Sequence, residues 1–161
     1  MNRILLVRLG ALGDVVHAIP VAAALRRAFP SARLDWLVSA KHRAILDLVP
    51  VIDRRIVLDG DRAKGGASLL RAVRELRRSE YDVAIDLQGL VKSAVLARSA
   101  GAGRVLGFAT SYLRERLARP FYTDVYDPGC RGIYDPRETR HVVEINLGLL
   151  EPLGIPVAPP E

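Results

Sequence analysis

Two loops hold the residues whose types and spacing could do chemistry. The first, Arg8-Leu9-Gly10-Ala11-Leu12-Gly13-Asp14, sets a cation, two glycines and a carboxylate close together, and His17 follows one helical turn later. The second, Asp86-Leu87-Gln88-Gly89-Leu90-Val91-Lys92-Ser93, offers a carboxylate, an amide, a glycine and a second cation. Gly10 and Gly13 permit a tight turn and close approach of backbone to a ligand, and a helix starting behind them would present its positive end to an anion. A dinucleotide-binding turn would read G-x-G-x-x-G, but Arg8 stands at the first glycine position. The next strand ends on Val38-Ser39 rather than on an acid, so the nicotinamide reading loses its two marks.

Each of these side chains also has an ordinary role open to it. Asp14, placed before an apolar helix, can cap it or can serve as a general base, and the two roles are compatible. His17 is within reach of Asp14 or is a structural histidine. Asp86 can cap the helix behind it, and Lys92 can be solvated. A third group, Arg114-Glu115-Arg116 with Arg119, and a fourth, the segment Arg54–Arg78 with eight Arg or Lys against three acids, are either solvated faces or grips for carboxylate and phosphate.

Elements of alternating type must position these loops. Apolar runs predict strands at Ile4–Val7, Leu34–Val38, Arg55–Leu58, Tyr81–Asp86 and Arg104–Phe108. Between them the spacing predicts helices over Val15–Phe29 (with Pro20 kinking it), Ala40–Leu48, Ser68–Arg78 and Val91–Ser99. A short helix near Tyr112–Leu117, an irregular stretch Arg119–Thr139 and a last helix Val142–Glu151 complete the chain. Strands separated by helices imply right-handed crossovers and an α/β, Rossmann-like three-layer domain with a mostly parallel sheet. In such a sheet ligands bind outside the carboxyl ends of the strands, where both loops fall and where a shared polar pocket is expected.

Length and composition agree with one domain. The 161 residues are half hydrophobic and carry a net charge of +6, mostly from arginine, which favours anionic partners. Cys130 has no cysteine to pair with, and no Cys/His cluster has metal spacing, as suits a reducing cytoplasm. No apolar run reaches the ~18 residues of a membrane span. The arginines lack interleaved aromatics, so nucleic acid is not an expected partner. Residues 1–153 are expected to form the domain, and the proline-rich 154–161 to begin an interdomain linker.

The motifs resemble a known family. Ile4-Leu5-Leu6-Val7-Arg8 followed by Gly13-Asp14-Val15-Val16-His17-Ala18-Ile19-Pro20 is similar to the opening of the lipopolysaccharide heptosyltransferases of glycosyltransferase family 9. Tyr81-Asp82 through Asp86-Leu87-Gln88-Gly89-Leu90-Val91-Lys92-Ser93-Ala94, then Arg114-Glu115, Phe121-Tyr122 and His141-Val142-Val143-Glu144, continue the likeness in order. The Gln-Gly-Leu-x-Lys-Ser stretch is most like the type that adds the first heptose.

The resemblance implies the N-terminal, acceptor-binding half of a two-domain glycosyltransferase-B enzyme. The domain that mainly holds the nucleotide sugar would lie outside this chain, leaving it inactive alone. It implies inverting, metal-independent transfer of heptose from ADP-heptose to the Kdo sugar of the inner core, with no cofactor beyond that donor. Asp14 matches the family's general base, while Arg8, Gly10, Gly13, His17, Gln88, Gly89, Lys92 and Arg114 fall where substrate contacts are expected. Arg8 stands where many relatives carry lysine. A cytoplasmic enzyme working peripherally at the inner face of the inner membrane is implied. The alternatives are a family 9 transferase with another acceptor, or a non-catalytic module for anionic glycolipid or nucleotide.

Overall fold

The computed structural model describes residues 1–59, 67–129 and 136–156; Arg62, Cys130 and the end of the expected linker, residues 157–161, lie outside these. Six strands, β1 (Arg3–Val7), β2 (Arg33–Ser39), β3 (Arg54–Leu58), β4 (Val83–Asp86), β5 (Arg104–Phe108) and β6 (Asp124–Tyr126), form one sheet in the order β3-β2-β1-β4-β5-β6. Every neighbouring pair is parallel. A parallel sheet is covered on both faces, so its central strands read as unbroken apolar runs. Ile4, Leu5, Leu6 and Val7 of β1 and Leu34, Trp36, Leu37 and Val38 of β2 are all buried.

Among the described residues, four α-helices complete the layers: α1 (Leu12–Ala28), α2 (Ala67–Arg78), α3 (Val91–Ser99) and α4 (Val142–Gly148). α1 packs against α4 and against a 3₁₀ helix, Ala40–Leu48, while α2 packs against α3, and α3 against a second 3₁₀ segment, Arg116–Phe121. The strand order reverses direction between β1 and β4, so the loops leaving these two strands lie side by side at the carboxyl edge. Val7 pairs with Asp86 at that edge, which sets Arg8 beside Leu87.

The expected strands and long helices are present, with local differences. α1 begins at Leu12 rather than Val15 and runs through Pro20 to Ala28. The segment after β2 is 3₁₀ rather than α. The turn expected at Tyr112–Leu117 divides into short 3₁₀ pieces at Thr110–Tyr112 and Arg116–Phe121. β6 lies inside the stretch read as irregular, because all three of its residues are only half-buried and form no apolar run. α4 stops at Gly148, and Glu151–Leu153 is a separate 3₁₀ turn.

Two glycines are required by close packing of this layer. A Cβ on Gly107 would sit 2.4 Å from the Tyr122 ring, and one on Gly148 would sit 2.2 Å from the Tyr126 ring. Gly107→Ala is therefore expected to cost about 1–3 kcal/mol, as overpacking does in well-filled cores, read as a lower midpoint in thermal or urea unfolding.

Acid should destabilise the fold through its surface carboxylates. Asp53 is held below its ordinary range against an opposing burial effect, chiefly by the Leu34 amide and Arg26; backbone amides of Asn2 and Arg3 do the same for Asp82, and Arg104 for Asp124. A lowered folded value gives stability that is present above the unfolded pKa, about 4, and is lost as pH falls through the folded value. Urea melts between pH 6 and pH 2 should show that loss, and Asp124→Asn should make the curve shallower.

Candidate functional site

Arg8 leaves β1 into the interior. It is buried, its Nη1 donates to the Leu87 carbonyl, and its Nη2 meets Asp14 Oδ2 at 2.5 Å. The indole of Trp36 donates to the Arg8 carbonyl oxygen at 3.2 Å, fixing the backbone there. Burial pushes the Arg8 guanidinium below its ordinary value against the opposing pull of Asp14.

Asp14 is not the residue that precedes the helix. Ala11 holds that position and Asp14 lies in the first turn, where Oδ2 accepts the Ala11 amide at 3.3 Å. This is the carboxylate half of a capping box, and it complements the helix dipole. Arg114 Nη2 reaches the same Oδ2 at 3.4 Å. Three donors thus converge on Oδ2, and Oδ1 accepts no hydrogen bond among the described residues.

The second loop is built on Asp86, which is fully buried. Its Oδ2 accepts from Tyr122 Oη at 2.7 Å and Ser93 Oγ at 2.8 Å, and its Oδ1 from the amides of Gln88 at 2.9 Å and Gly89 at 3.4 Å. Burial raises its pKa, and these four donors oppose the rise. Asp86 lies beneath the site rather than in it. Gln88 reaches across to accept the Leu9 amide on Oε1 at 2.8 Å, tying the two loops together. Gly89 turns with φ +71°, and a Cβ there would lie 3.1 Å from Leu113 Cδ2.

Arg8, Asp14, Gln88 and Arg114 line one cleft of about 460 Å³ at the carboxyl edge, closed on its far side by Tyr112, Arg140 and the α4 residues Val142 and Asn146. Lys92 and Gly10 line an adjoining recess with His42 and Ser39, and Gln88 and Arg114 face both spaces. Gly10 is required because a Cβ would lie 2.6 Å from the His42 ring. Gly13 has open space around its Cα, as close approach of a ligand needs.

Several expectations are answered differently. His17 stacks edge-on against His141 at 5.4 Å, in the seam between α1 and α4 rather than against Asp14. Glu115 does not face the cleft group; its Oε2 accepts the first amide of α3 at 2.7 Å. Arg119 bonds the Tyr122 carbonyl, and Arg55 bonds the Leu46 carbonyl and Asp47. Tyr112, Arg140 and Asn146 also line the cleft; Tyr112 comes from the turn after β5, while Arg140 and Asn146 arrive because α4 packs on α1, an approach with no signal in the sequence beyond the His141–Glu144 likeness. Among the described residues no group of three His, Cys, Asp or Glu could hold a metal ion, and no helix is long and apolar enough to cross a membrane.

An open parallel sheet with a basic, carboxylate-bearing cleft at its topological switch point defines an α/β domain for anionic or polar small ligands. The comparisons make the class specific: residues 69–157 match glycosyltransferase family 9 (heptosyltransferase), and the chain belongs to that family. It is 35% identical over 147 residues to lipopolysaccharide heptosyltransferase 1 of Pseudomonas aeruginosa, covering 87% of this chain and 41% of that protein. The Escherichia coli K12 protein of the same name is 35% identical over 128 residues, covering 74% of this chain and 40% of it.

Among solved structures, E. coli heptosyltransferase WaaC with ADP superposes with TM-score 0.78 at 27% identity, covering 97% of this chain and 49% of that one. A family 9 glycosyl transferase from Veillonella parvula gives 0.79 at 27% identity, covering 96% and 42%. The chain spans about two-fifths of the length of the curated relatives it matches.

Because Gly89 combines positive φ with a tight neighbour, Gly89→Ala is expected to cost about 1–3 kcal/mol and to displace Gln88 and Leu113. A lower melting midpoint, with shifted Gln88 side-chain amide resonances, checks this.

Proposed function

We propose that this chain is the acceptor-binding domain, residues 1–153 with an interdomain linker from 154, of an enzyme that moves heptose from ADP-heptose to the Kdo sugar of the lipopolysaccharide inner core. The observation that carries the reading is the state of Asp14 at the cleft, whose Oδ2 is held by Arg8, Arg114 and the Ala11 amide while Oδ1 accepts no hydrogen bond among the described residues. A carboxylate fixed on one oxygen and free on the other is placed as a general base must be, aimed and available.

In this reading the acceptor hydroxyl enters the cleft and gives its proton to Asp14 Oδ1. Its oxygen attacks the anomeric carbon of the donor from the face opposite the diphosphate, the carbon–oxygen bond to the diphosphate breaks, ADP departs, and the configuration inverts. No metal is assigned a step. Gln88 and Lys92 would bind acceptor hydroxyl and carboxylate groups, with Arg114 shared between Asp14 and the acceptor. The names of the family relatives, lipopolysaccharide heptosyltransferase 1, support the sugar and the glycolipid. A solved relative, WaaC with ADP-2-deoxy-2-fluoro heptose, supports the donor. An acceptor carried on a membrane lipid places the enzyme peripherally at the cytoplasmic face of the inner membrane, where its positive charge is attracted to anionic lipid.

The test is transfer by the complete protein from ADP-heptose to a deacylated inner-core acceptor. Asp14→Asn should lower kcat about a hundredfold or more, the scale of a lost general base, in a variant that circular dichroism shows folded at the assay temperature, although its melting midpoint falls because the buried Arg8 loses its partner. Equal rates for wild type and variant would leave Asp14 as a helix-terminal carboxylate only. Absence of transfer by the wild type would remove the assigned acceptor.

A further inference from the structure

The amino-terminal edge of the sheet, about 17 Å from the cleft for strands of this length, carries a second basic assembly. β1, β2 and β3 each open on an arginine: Arg3, Arg33 and Arg54. Register sets Arg3 beside Arg33, and Arg54 beside the buried Asp35. Asp35 accepts Tyr81 Oη at 2.6 Å and pairs with Arg33 at 3.0 Å and Arg54 at 3.4 Å. Ser79 finishes the arrangement, its Oγ accepting from Arg54 at 2.9 Å and its carbonyl from Arg3 at 2.8 Å.

Over these fixed guanidinium groups α2 lays three more. Arg71, Arg74 and Arg78 are spaced i, i+3, i+7, which puts them on one helix face. All six arginines line one open pocket of about 840 Å³. Three carboxylates at this edge, Asp35, Glu75 and Glu80, are engaged by Arg33, Arg54 and Arg3, and two more are held elsewhere, Asp53 by Arg26 and the Leu34 amide and Asp82 by the Asn2 and Arg3 amides. Arg71, Arg74 and Arg78 form no ion pair or side-chain hydrogen bond among the described residues. A helix face of arginines is ordinarily solvated; here it closes over a floor of pre-oriented arginines, so the charge converges on a concave space.

We propose that this pocket binds a phosphate-bearing polyanion, through the bidentate hydrogen bonds that guanidinium groups make to phosphate oxygens. The phosphate can belong to a soluble oligophosphate or to lipid headgroups. Leu70, 57% exposed on the pocket rim beside Leu69, gives the second source an apolar edge to meet. The pocket shares no lining residue with the cleft.

Calorimetric titration of this chain with sodium tripolyphosphate at low salt tests the pocket. Arg71→Gln/Arg74→Gln/Arg78→Gln keeps good helix formers at exposed positions and should weaken binding about tenfold or more, as loss of charge-assisted hydrogen bonds does. The corresponding triple lysine variant should retain part of the affinity. Arg114→Gln, which alters only the cleft, should bind like the wild type. The proposal is overturned if the triple glutamine variant binds as well as the wild type, if Arg114→Gln alone abolishes binding, or if tripolyphosphate and vesicles both fail to bind. Co-sedimentation with phosphatidylglycerol vesicles against phosphatidylcholine vesicles separates the sources. Retention on the anionic vesicles that falls in both the triple variant and Leu70→Ser assigns lipid headgroups, whereas tripolyphosphate binding without vesicle retention assigns a soluble anion.

Discussion

Everything at the carboxyl edge depends on one buried carboxylate. Asp86 is fully enclosed at the end of β4, and a carboxyl group in that position is tolerated only because each oxygen is met by donors. Those donors come from separate pieces of chain: the loop amides of Gln88 and Gly89, the first turn of α3 through Ser93, and the segment before β6 through Tyr122. Satisfying that group therefore assembles the site. Gln88 is placed to bond the Leu9 amide, which locks the β4 loop to the β1 loop that carries Arg8 and Asp14.

The amino-terminal edge repeats the logic with different partners. There the buried Asp35 gathers Tyr81, Arg33 and Arg54, and the arginines that open the strands are held upright rather than waving in solvent. At each edge a hidden aspartate orders the polar layer above it: at one end the ordered groups face the Asp14 carboxylate, at the other they present six arginines with Glu75 among them.

The layering was legible in the sequence because parallel strands buried on both faces leave apolar runs, as at Leu5-Leu6-Val7 and Val83-Ala84-Ile85. β6 was not, since Asp124, Val125 and Tyr126 are half-buried at the sheet margin and carry no such run. Among the candidate site residues, Arg8, Asp14 and Gln88 meet because the loops after β1 and β4 share the switch point, and Arg114 joins them from the segment after β5. His17 does not join them: one turn of α1 carries it round to α4, a neighbour the sequence does not announce. Asp35 carries no site signal in the sequence, lying early in β2 rather than at its carboxyl end. Its role comes from Tyr81 and Arg54, which are distant in sequence and adjacent in the sheet.

Glu115 sets a condition on how the cleft can hold an anion. Its carboxylate occupies the first amide of α3, the place where a phosphate or carboxylate would otherwise settle on a helix end. Recognition near this helix is left to side chains, with Arg114 half-exposed at the cleft and Arg8 buried behind it. Such a grip behaves like an ion exchanger, loosened by competing salt wherever the arginine is open to solvent.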